Sequence, residues 1–329
     1  MTQTYQLYGL GAALVDTEVR VSDAFLSQHD FTKGQMSLAS ELEQGQLLKA
    51  LATTLDDHQL HCGGSAANSV MAFSAFGGSA YFACKVGDDD DGRFYLNGLQ
   101  DVAIGYAKRY AAKQTTGKCV VMISDDAERT MQTHLGVNVG LSIDDIDEQA
   151  LKHSQWLYFE GYLVTTDSAK QAAIHARKVA QTHGVKVALS FSDPGIVQGF
   201  KQGLIEMMGE RPDWVFCNEE EAYVFCDTRS LDKAVAHLQS IAHGFAITLG
   251  DKGALVFDGA HLHTIAAIDV QAIDTNGAGD AFAGGFMYGI THGLNAKQAG
   301  DLGAATAAKV VCHYGPRLPK EVYRELWLT

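Results

Sequence analysis

The sequence predicts an α/β fold, a mostly parallel sheet with helices on both faces. Three observations carry this expectation. Short apolar runs of strand length alternate with longer stretches of helical period along most of the chain. The helical stretches show small apolar residues at three- and four-residue spacing, as in Ala66, Ala67, Val70, Met71 and Ala75. Only two segments break the alternation. A strand–helix alternation puts helices on both faces of a parallel sheet.

In chain order the expected strands are Gln6–Gly9, Ala80–Val86, Trp156–Phe159, Val185–Ser190, Trp214–Cys217, Phe245–Leu249 and Ala254–Phe257. The expected helices are Ser65–Phe76, Ser168–His183, Leu231–Ile241, Ala281–Thr291 and Ala296–Val311. The two interrupting segments, Glu18–Gln44 and Tyr106–Gln132, are more polar and carry few helical signals. Lys118–Ser124 reads as a strand and Val19–Val21 as a short one. Residues 18–44 and 106–132 are therefore expected to form a small β lid that excludes water from a crevice. Residues 1–17, 45–105 and 133–329 form the expected core. Plain surface loops are the alternative, but their length argues against it.

With 329 residues the chain is long enough for one large domain or a domain with an appendage. Lys and Arg number 25 against 39 Asp and Glu, a net charge of −14. That balance repels nucleic-acid phosphates. The six cysteines are scattered, without a CxxC pair, and read as buried free thiols. No secretory pattern opens the chain and no apolar stretch is long enough to span a bilayer, so a cytoplasmic protein is expected.

The densest chemical signal is Asp274-Thr-Asn-Gly-Ala-Gly-Asp280-Ala-Phe-Ala-Gly-Gly-Phe286. Gly277, Ala278 and Gly279 leave backbone N–H groups uncovered at a helix start, where the dipole favours an anion. Asp280 at the same place repels an anion. The conflict points to a base beside a bound phosphate, hence to phosphoryl transfer onto a hydroxyl. An Asp capping an ordinary helix is the plainer reading of these residues alone.

Other motifs are weaker. Gly63-Gly64-Ser-Ala-Ala-Asn68 lets a backbone approach a ligand, and Asn68 can donate to and accept from a sugar hydroxyl. Asp16 follows the first strand, where α/β sheets bind ligands, and a carboxylate suits two vicinal hydroxyls. Asn218-Glu-Glu-Glu221 follows a strand and suits Mg²⁺ through water, or simply an acidic helix start. Thr248-Leu-Gly250-Asp-Lys-Gly253 is either a tight hairpin or a turn touching phosphate. Asp88–Asp91 reads as a solvated acidic turn. A dinucleotide fingerprint, a P-loop and zinc-spaced ligands are all missing.

Together these motifs resemble the ribokinase (PfkB) family of carbohydrate and nucleoside kinases, over nearly the whole chain. Asp274–Phe286 is the most specific element. LYGLGAALVD, DAFLSQHDFTKGQ from Asp23, GGSAANS from Gly63, Asn276 and HYGPRLP from His313 are similar to its adenosine-kinase-like branch.

The resemblance implies a Rossmann-like core with a β lid, ATP and Mg²⁺ as cofactors, and a K⁺ ion near Asp274. It implies that Asp280 is the base and that Gly277, Ala278 and Gly279 hold the γ-phosphate with the lid residue Arg129. Asp16, Gly63, Gly64 and Asn68 would bind the acceptor. Asn218, Thr248, Gly250, Gly253 and Asn276 would lie on the nucleotide side, with Asn218 and Glu221 organising Mg²⁺.

Ala12 and Gly195 depart from the adenosine-kinase pattern, at an Asn and a bulky residue of the nucleoside pocket. The expected substrate is adenosine or a related purine nucleoside. Sugar kinases for ribose, fructose or 2-keto-3-deoxygluconate, and a catalytically silent binding regulator, remain open. A monomer or homodimer is expected.

Overall fold

The computed structural model describes residues 4–52, 59–107, 110–111, 114–126 and 128–328. Its main sheet has eight strands in the order Leu262–Ile265, Ala254–Phe257, Phe245–Thr248, Trp214–Asn218, Lys186–Ser190, Ser154–Glu160, Tyr5–Leu10 and Ala80–Ala83. Every neighbouring pair from Phe245–Thr248 to Ala80–Ala83 is parallel. The first three strands are joined antiparallel. Thr248–Gly253 is thus a hairpin connection, the plainer of the two readings, and Leu249 N–H donates to the Gly253 carbonyl at 2.8 Å.

Side chains alternate across the sheet, as the pleat requires. Trp156 and Tyr158 pack with Phe282, Phe286 and Ala66 on one face. Leu157 and Phe159 pack with Ala173, Leu204 and Leu238 on the other. Tyr5–Leu10 lies between Ala80–Ala83 and Ser154–Glu160, and the chain passes from its end into Leu14–Arg20 of a second sheet. A crevice therefore opens at the strand ends there.

A second sheet has five strands, Met36–Leu38, Arg129–His134, Gly117–Ile123, Leu14–Arg20 and Gln59–Gly63 in that order. Its outward side chains Val19, Val120 and Met122 pack against Leu26, Leu47 and Leu51, a small core of its own. Gln44 Nε2 donates to the Lys118 and Gln132 carbonyls at 3.1 and 3.2 Å, fastening the covering helix.

Several expectations need correction. The boundary expected between residues 17 and 18 falls inside the strand Leu14–Arg20, and Gln59–Gly63, assigned to the core, joins the second sheet. The polar first insertion contains the helix Asp23–Gln28, and the helix Glu41–Ala50 starts within it. Ser40 and Glu43 form a capping box there, so caps set the second helix where apolar period is weak.

Asp89 is no solvated turn residue. It caps the helix Asp90–Asp101 and accepts from Gly92 N–H at 2.8 Å and from Thr116 N–H and Oγ1 at 2.7 and 2.6 Å. Burial opposes its charge, but the Thr116 bonds prevail and lower its pKa. Pro194–Met208 and Lys320–Leu328 are further helices that the apolar pattern left unmarked. Residues 1–3, 53–58, 108–109, 112–113, 127 and 329, within the expected core and lid segments, lie outside the described residues.

Candidate active site

Asp280 lies in the first turn of the helix Ala278–Thr291, which packs directly on the helix Ser65–Ala75. A Cβ at Gly284 would meet the Ser69 carbonyl at 2.5 Å and Ala72 Cβ at 2.7 Å. Glycine is what lets the two helices approach this closely, and the approach brings two motifs together. Ser65 Oγ donates to Asp280 Oδ1 at 2.7 Å, and Asn68 Nδ2 donates to Oδ2 at 3.0 Å. Burial raises the Asp280 pKa, and these two donors oppose the rise, followed by Arg129 and Arg317.

Gly277 caps the helix with φ 73°, a left-handed conformation that favours glycine. Ala278 N–H points back to the Thr275 carbonyl at 3.3 Å. The Gly277, Gly279 and Asp280 N–H groups have no protein acceptor among the described residues. A Cβ built on Gly279 meets nothing within 4 Å, so open space lies over the helix start.

Two cavities meet at Asp280. The larger, ≈ 1110 Å³, is lined by Gly277, Ala278, Gly279, Asn218, Glu221, Thr248 and Gly250. The smaller, ≈ 700 Å³, is lined by Asp16, Gly64, Ser65, Asn68, Glu160 and Asn276. Asp280, Arg129, Met131 and Ser192 line both. Arg129 opens the lid strand Arg129–His134, and its guanidinium donates to the Thr275 carbonyl at 3.0 Å and to Asn276 Oδ1 at 3.4 Å.

Asp16 stands in the middle of a lid strand rather than at the end of a core strand. Its pKa is raised to about 8 by burial first, then by Glu18, while Arg317 and Arg129 act the other way. Asp16 Oδ1 is buried without a hydrogen-bond partner. An unpaired buried acceptor on a cavity wall is costly unless a ligand donor meets it.

Alternation along the lid strands gives the small cavity its apolar side chains. Leu14 shares a face with Asp16, Met131 with Arg129, and Met36 with Leu38. The lid thus brings Leu14, Met36, Leu38 and Met131 to the cavity beside its own Asp16 and Arg129, facing Asn68 and Asp280 of the core.

Asn276 lines the small cavity, not the large one, and its Nδ2 donates to Glu18 Oε1 at 3.1 Å. Asn218 and Glu221 form a capping box: Glu221 N–H donates to Asn218 Oδ1 at 2.8 Å, and Asn218 N–H to Glu221 Oε2 at 3.0 Å. Burial raises the Glu221 pKa to about 8. Gly63 and Gly253 line neither cavity. Gly63 abuts the Asp16 carboxylate, and Gly253 abuts the Ile265 carbonyl. Gly195 lines neither either, its N–H donating to Asp193 Oδ1 at 2.7 Å. Asp274 Oδ1 and Oδ2 accept from the Asn276 and Gly315 N–H groups at 2.8 and 2.9 Å, so this carboxylate ties the catalytic loop to the C-terminal segment.

The model of the pfkB family carbohydrate kinases matches residues 42–322. The chain belongs to that family. It is 27% identical to a Saccharomyces cerevisiae adenosine kinase, over 97% of this chain and 98% of the yeast protein.

Among solved structures, an adenosine kinase from Sinorhizobium meliloti superposes with a TM-score of 0.92 at 30% identity, covering 98% of this chain and 99% of that one. A probable sugar kinase protein from Rhizobium etli superposes at 0.93 with 28% identity, covering 99% and 100%. This pfkB kinase is a phosphotransferase with an alcohol group as acceptor.

Some site residues of the pfkB kinase escape sequence reasoning. Glu160 is buried and accepts from Ala12 and Ala66 N–H at 2.8 and 2.7 Å, binding two Gly-rich segments to each other. Burial raises its pKa to about 7. It ends an apolar strand and carries no motif of its own. Ser192 has φ 73°, a strained value for a residue with a Cβ, at the junction of the cavities. Its Oγ accepts from Gly161 N–H at 2.8 Å. Arg317 reaches Asn68 across the fold, and Ser65 was passed over beside the glycines.

Proposed function

We propose that this kinase transfers the γ-phosphate of ATP to the primary hydroxyl of a nucleoside, adenosine or a related purine nucleoside. The mixed lining of the small cavity carries the reading. A nucleoside joins a flat apolar base to a polyhydroxyl ring, and the apolar Leu14, Met36, Leu38 and Met131 with the polar Asp16, Asn68 and Asp280 suit those two parts. The likeness to adenosine kinases over the full chain supports it.

The acceptor hydroxyl lies against Asp280, which takes its proton as the oxygen attacks phosphorus in line. The Gly277 and Gly279 N–H groups and Arg129 meet the charge on the equatorial oxygens. Asp16 and Asn68 hold the ring hydroxyls. Thr248 and Gly250 lie along the donor side.

Asp193, Glu221 and Asp280 line the large cavity, and Arg129 is the one cationic side chain among its described lining residues. A polyphosphate there needs a further cation. Asn218 and Glu221 line that cavity and would hold Mg²⁺ through water, because Mg²⁺ keeps much of its hydration shell. Bound Mg²⁺ neutralises phosphate charge.

An ADP-release screen over adenosine, inosine, guanosine, ribose, fructose and 2-keto-3-deoxygluconate, with and without K⁺, tests the reading. Adenosine or a close purine nucleoside should give the highest kcat/KM. A free sugar or sugar acid turning over far faster than every nucleoside would refute it.

A further inference from the structure

The Asn68 amide is engaged at both ends before any acceptor arrives. Arg317 Nε donates to its Oδ1 at 2.9 Å, and its Nδ2 donates to Asp280 Oδ2 at 3.0 Å. A guanidinium carries only donors. Arg317 therefore dictates which end of Asn68 faces Asp280, and it must be the N–H end. Ser65 Oγ supplies the donor to the other carboxylate oxygen at 2.7 Å. With the amide reversed, an oxygen would face the carboxylate and one of these bonds would become a repulsion.

The Arg317 segment is itself anchored. Gly315 N–H donates to Asp274 Oδ2 at 2.9 Å, and Leu318 N–H donates to Tyr323 Oη at 3.2 Å. Arg317 Nη2 is buried without a hydrogen-bond partner, so the head group is held by its neighbours and not by solvent. Arg317 lines neither cavity; it reaches Asp280 by hydrogen bond through Asn68, and its charge also favours the carboxylate.

We propose that Arg317 is a positioning residue for Asp280, fixing the Asn68 amide so that the carboxylate keeps a donor on each oxygen and one rotational setting toward the acceptor. The proposal rests on the reading of Asp280 as the base.

Charged and titratable groups face this relay from every side. Arg129 and Asp16 come from the lid, Glu160, Glu221, Tyr158 and Tyr162 from the core around Asp280. His61, Cys62, Tyr95 and Tyr323 lie around Arg317. Asp16, Glu160 and Glu221 disfavour charge on Asp280, and the two arginines favour it. Losing Arg317 therefore moves the acid limb of the activity profile upward in pH.

The test is the pH dependence of kcat and kcat/KM for Arg317→Met and Arg317→Lys beside Asp280→Asn, with melting temperatures. Arg317→Met should lower kcat about ten- to a hundredfold, the scale of a misplaced reacting group. Its acid limb should lie at higher pH, and Lys should restore part of both. An acid limb coincident with the parent's, whatever the melting temperature, overturns the relay.

Asp280→Asn separates the two claims. Lost turnover there with an unmoved Arg317→Met limb removes the relay alone, whereas normal turnover there removes the base. Should Arg317→Met not fold, Arg317→Gln keeps a donor without charge. Turnover close to the parent's in that variant, with the limb moved only by the lost charge, supports the relay, and a fall in kcat of about tenfold or more despite the retained donor overturns it.

Discussion

Asp280, the proposed base, would meet two opposing demands, a buried site that disfavours charge and a reaction that needs the charged form. Ser65 and Asn68 reconcile them with one donor on each oxygen. Asp280→Asn should lower kcat by about 10²–10⁴, the usual worth of a general base. ATP binding, read by calorimetry, should persist, because a negative charge near the phosphates is removed. Parent-like turnover would eliminate the role.

The two outer glycines of the motif separate structure from chemistry. A Cβ at Gly277 would meet Pro316 Cβ at 2.5 Å with φ at 73°, so Gly277→Ala should cost about 1–2 kcal/mol from the left-handed backbone alone. Gly279→Ala meets no protein atom, so its stability should stay within about 0.5 kcal/mol of the parent. Its KM for ATP should rise nevertheless, because the methyl occupies the space over the helix start. Denaturant melts and initial rates of the pair check both, and a Gly279→Ala enzyme with unchanged ATP kinetics would contradict a phosphate seat there.

At the scale of elements, Glu160 joins the hinge between core and lid to the helix Ser65–Ala75. Ala12 N–H meets one oxygen and Ala66 N–H the other. Asn138 holds the next residue, accepting from Ala13 N–H at 3.0 Å and donating to its carbonyl at 2.8 Å. Glu160→Ala leaves two buried N–H groups unpaired, which should destabilise the protein by about 1–3 kcal/mol for each. Asp16 and Asn68 sit on the two elements so joined, so acceptor KM should rise more than ATP KM. An equal rise in both would point to general loosening.

The elements also show what could be read in advance. Apolar strands and long periodic helices were legible, because their burial is written in consecutive residues. Helices set by caps, such as Glu41–Ala50 and Asp90–Asp101, were not, because a cap is a contact made after folding. The lid boundary was misplaced because Leu14–Arg20 alternates like a core strand and differs only in its partners.

Over the whole molecule, six carboxyls among the described residues have pKa values raised chiefly by burial: Asp16 and Glu221 to about 8, Glu18 and Glu160 to about 7, and Asp193 and Asp280 in the same direction. Each holds a proton in the folded state that it releases more readily when unfolded. Their contribution to stability is greatest near their unfolded values, about pH 4. It declines as pH rises and levels off above pH 7–8. The ligand-free protein should therefore melt at lower temperature at pH 8.5 than at pH 6, and Asp16→Asn should flatten the slope. A melting temperature that rises steadily over that interval would contradict it. No described helix is long and apolar enough to cross a membrane.

The sequence by itself determined the fold class and set Asp280 behind its glycines, because each is a local pattern: period, glycine spacing and a carboxylate at a helix start. Only the tertiary structure decided that Asp16 belongs to the lid, that Asn276 faces the small cavity, and that Ser65 bonds Asp280, Glu160 bonds Ala66 and Arg317 bonds Asn68. The bonds of Glu160, Ser65 and Arg317 join residues 94, 215 and 249 apart in the chain, where composition and spacing carry no signal. Close packing of the helix Ala278–Thr291, through Gly284, on the helix Ser65–Ala75 brings Ser65 and Asn68 to Asp280.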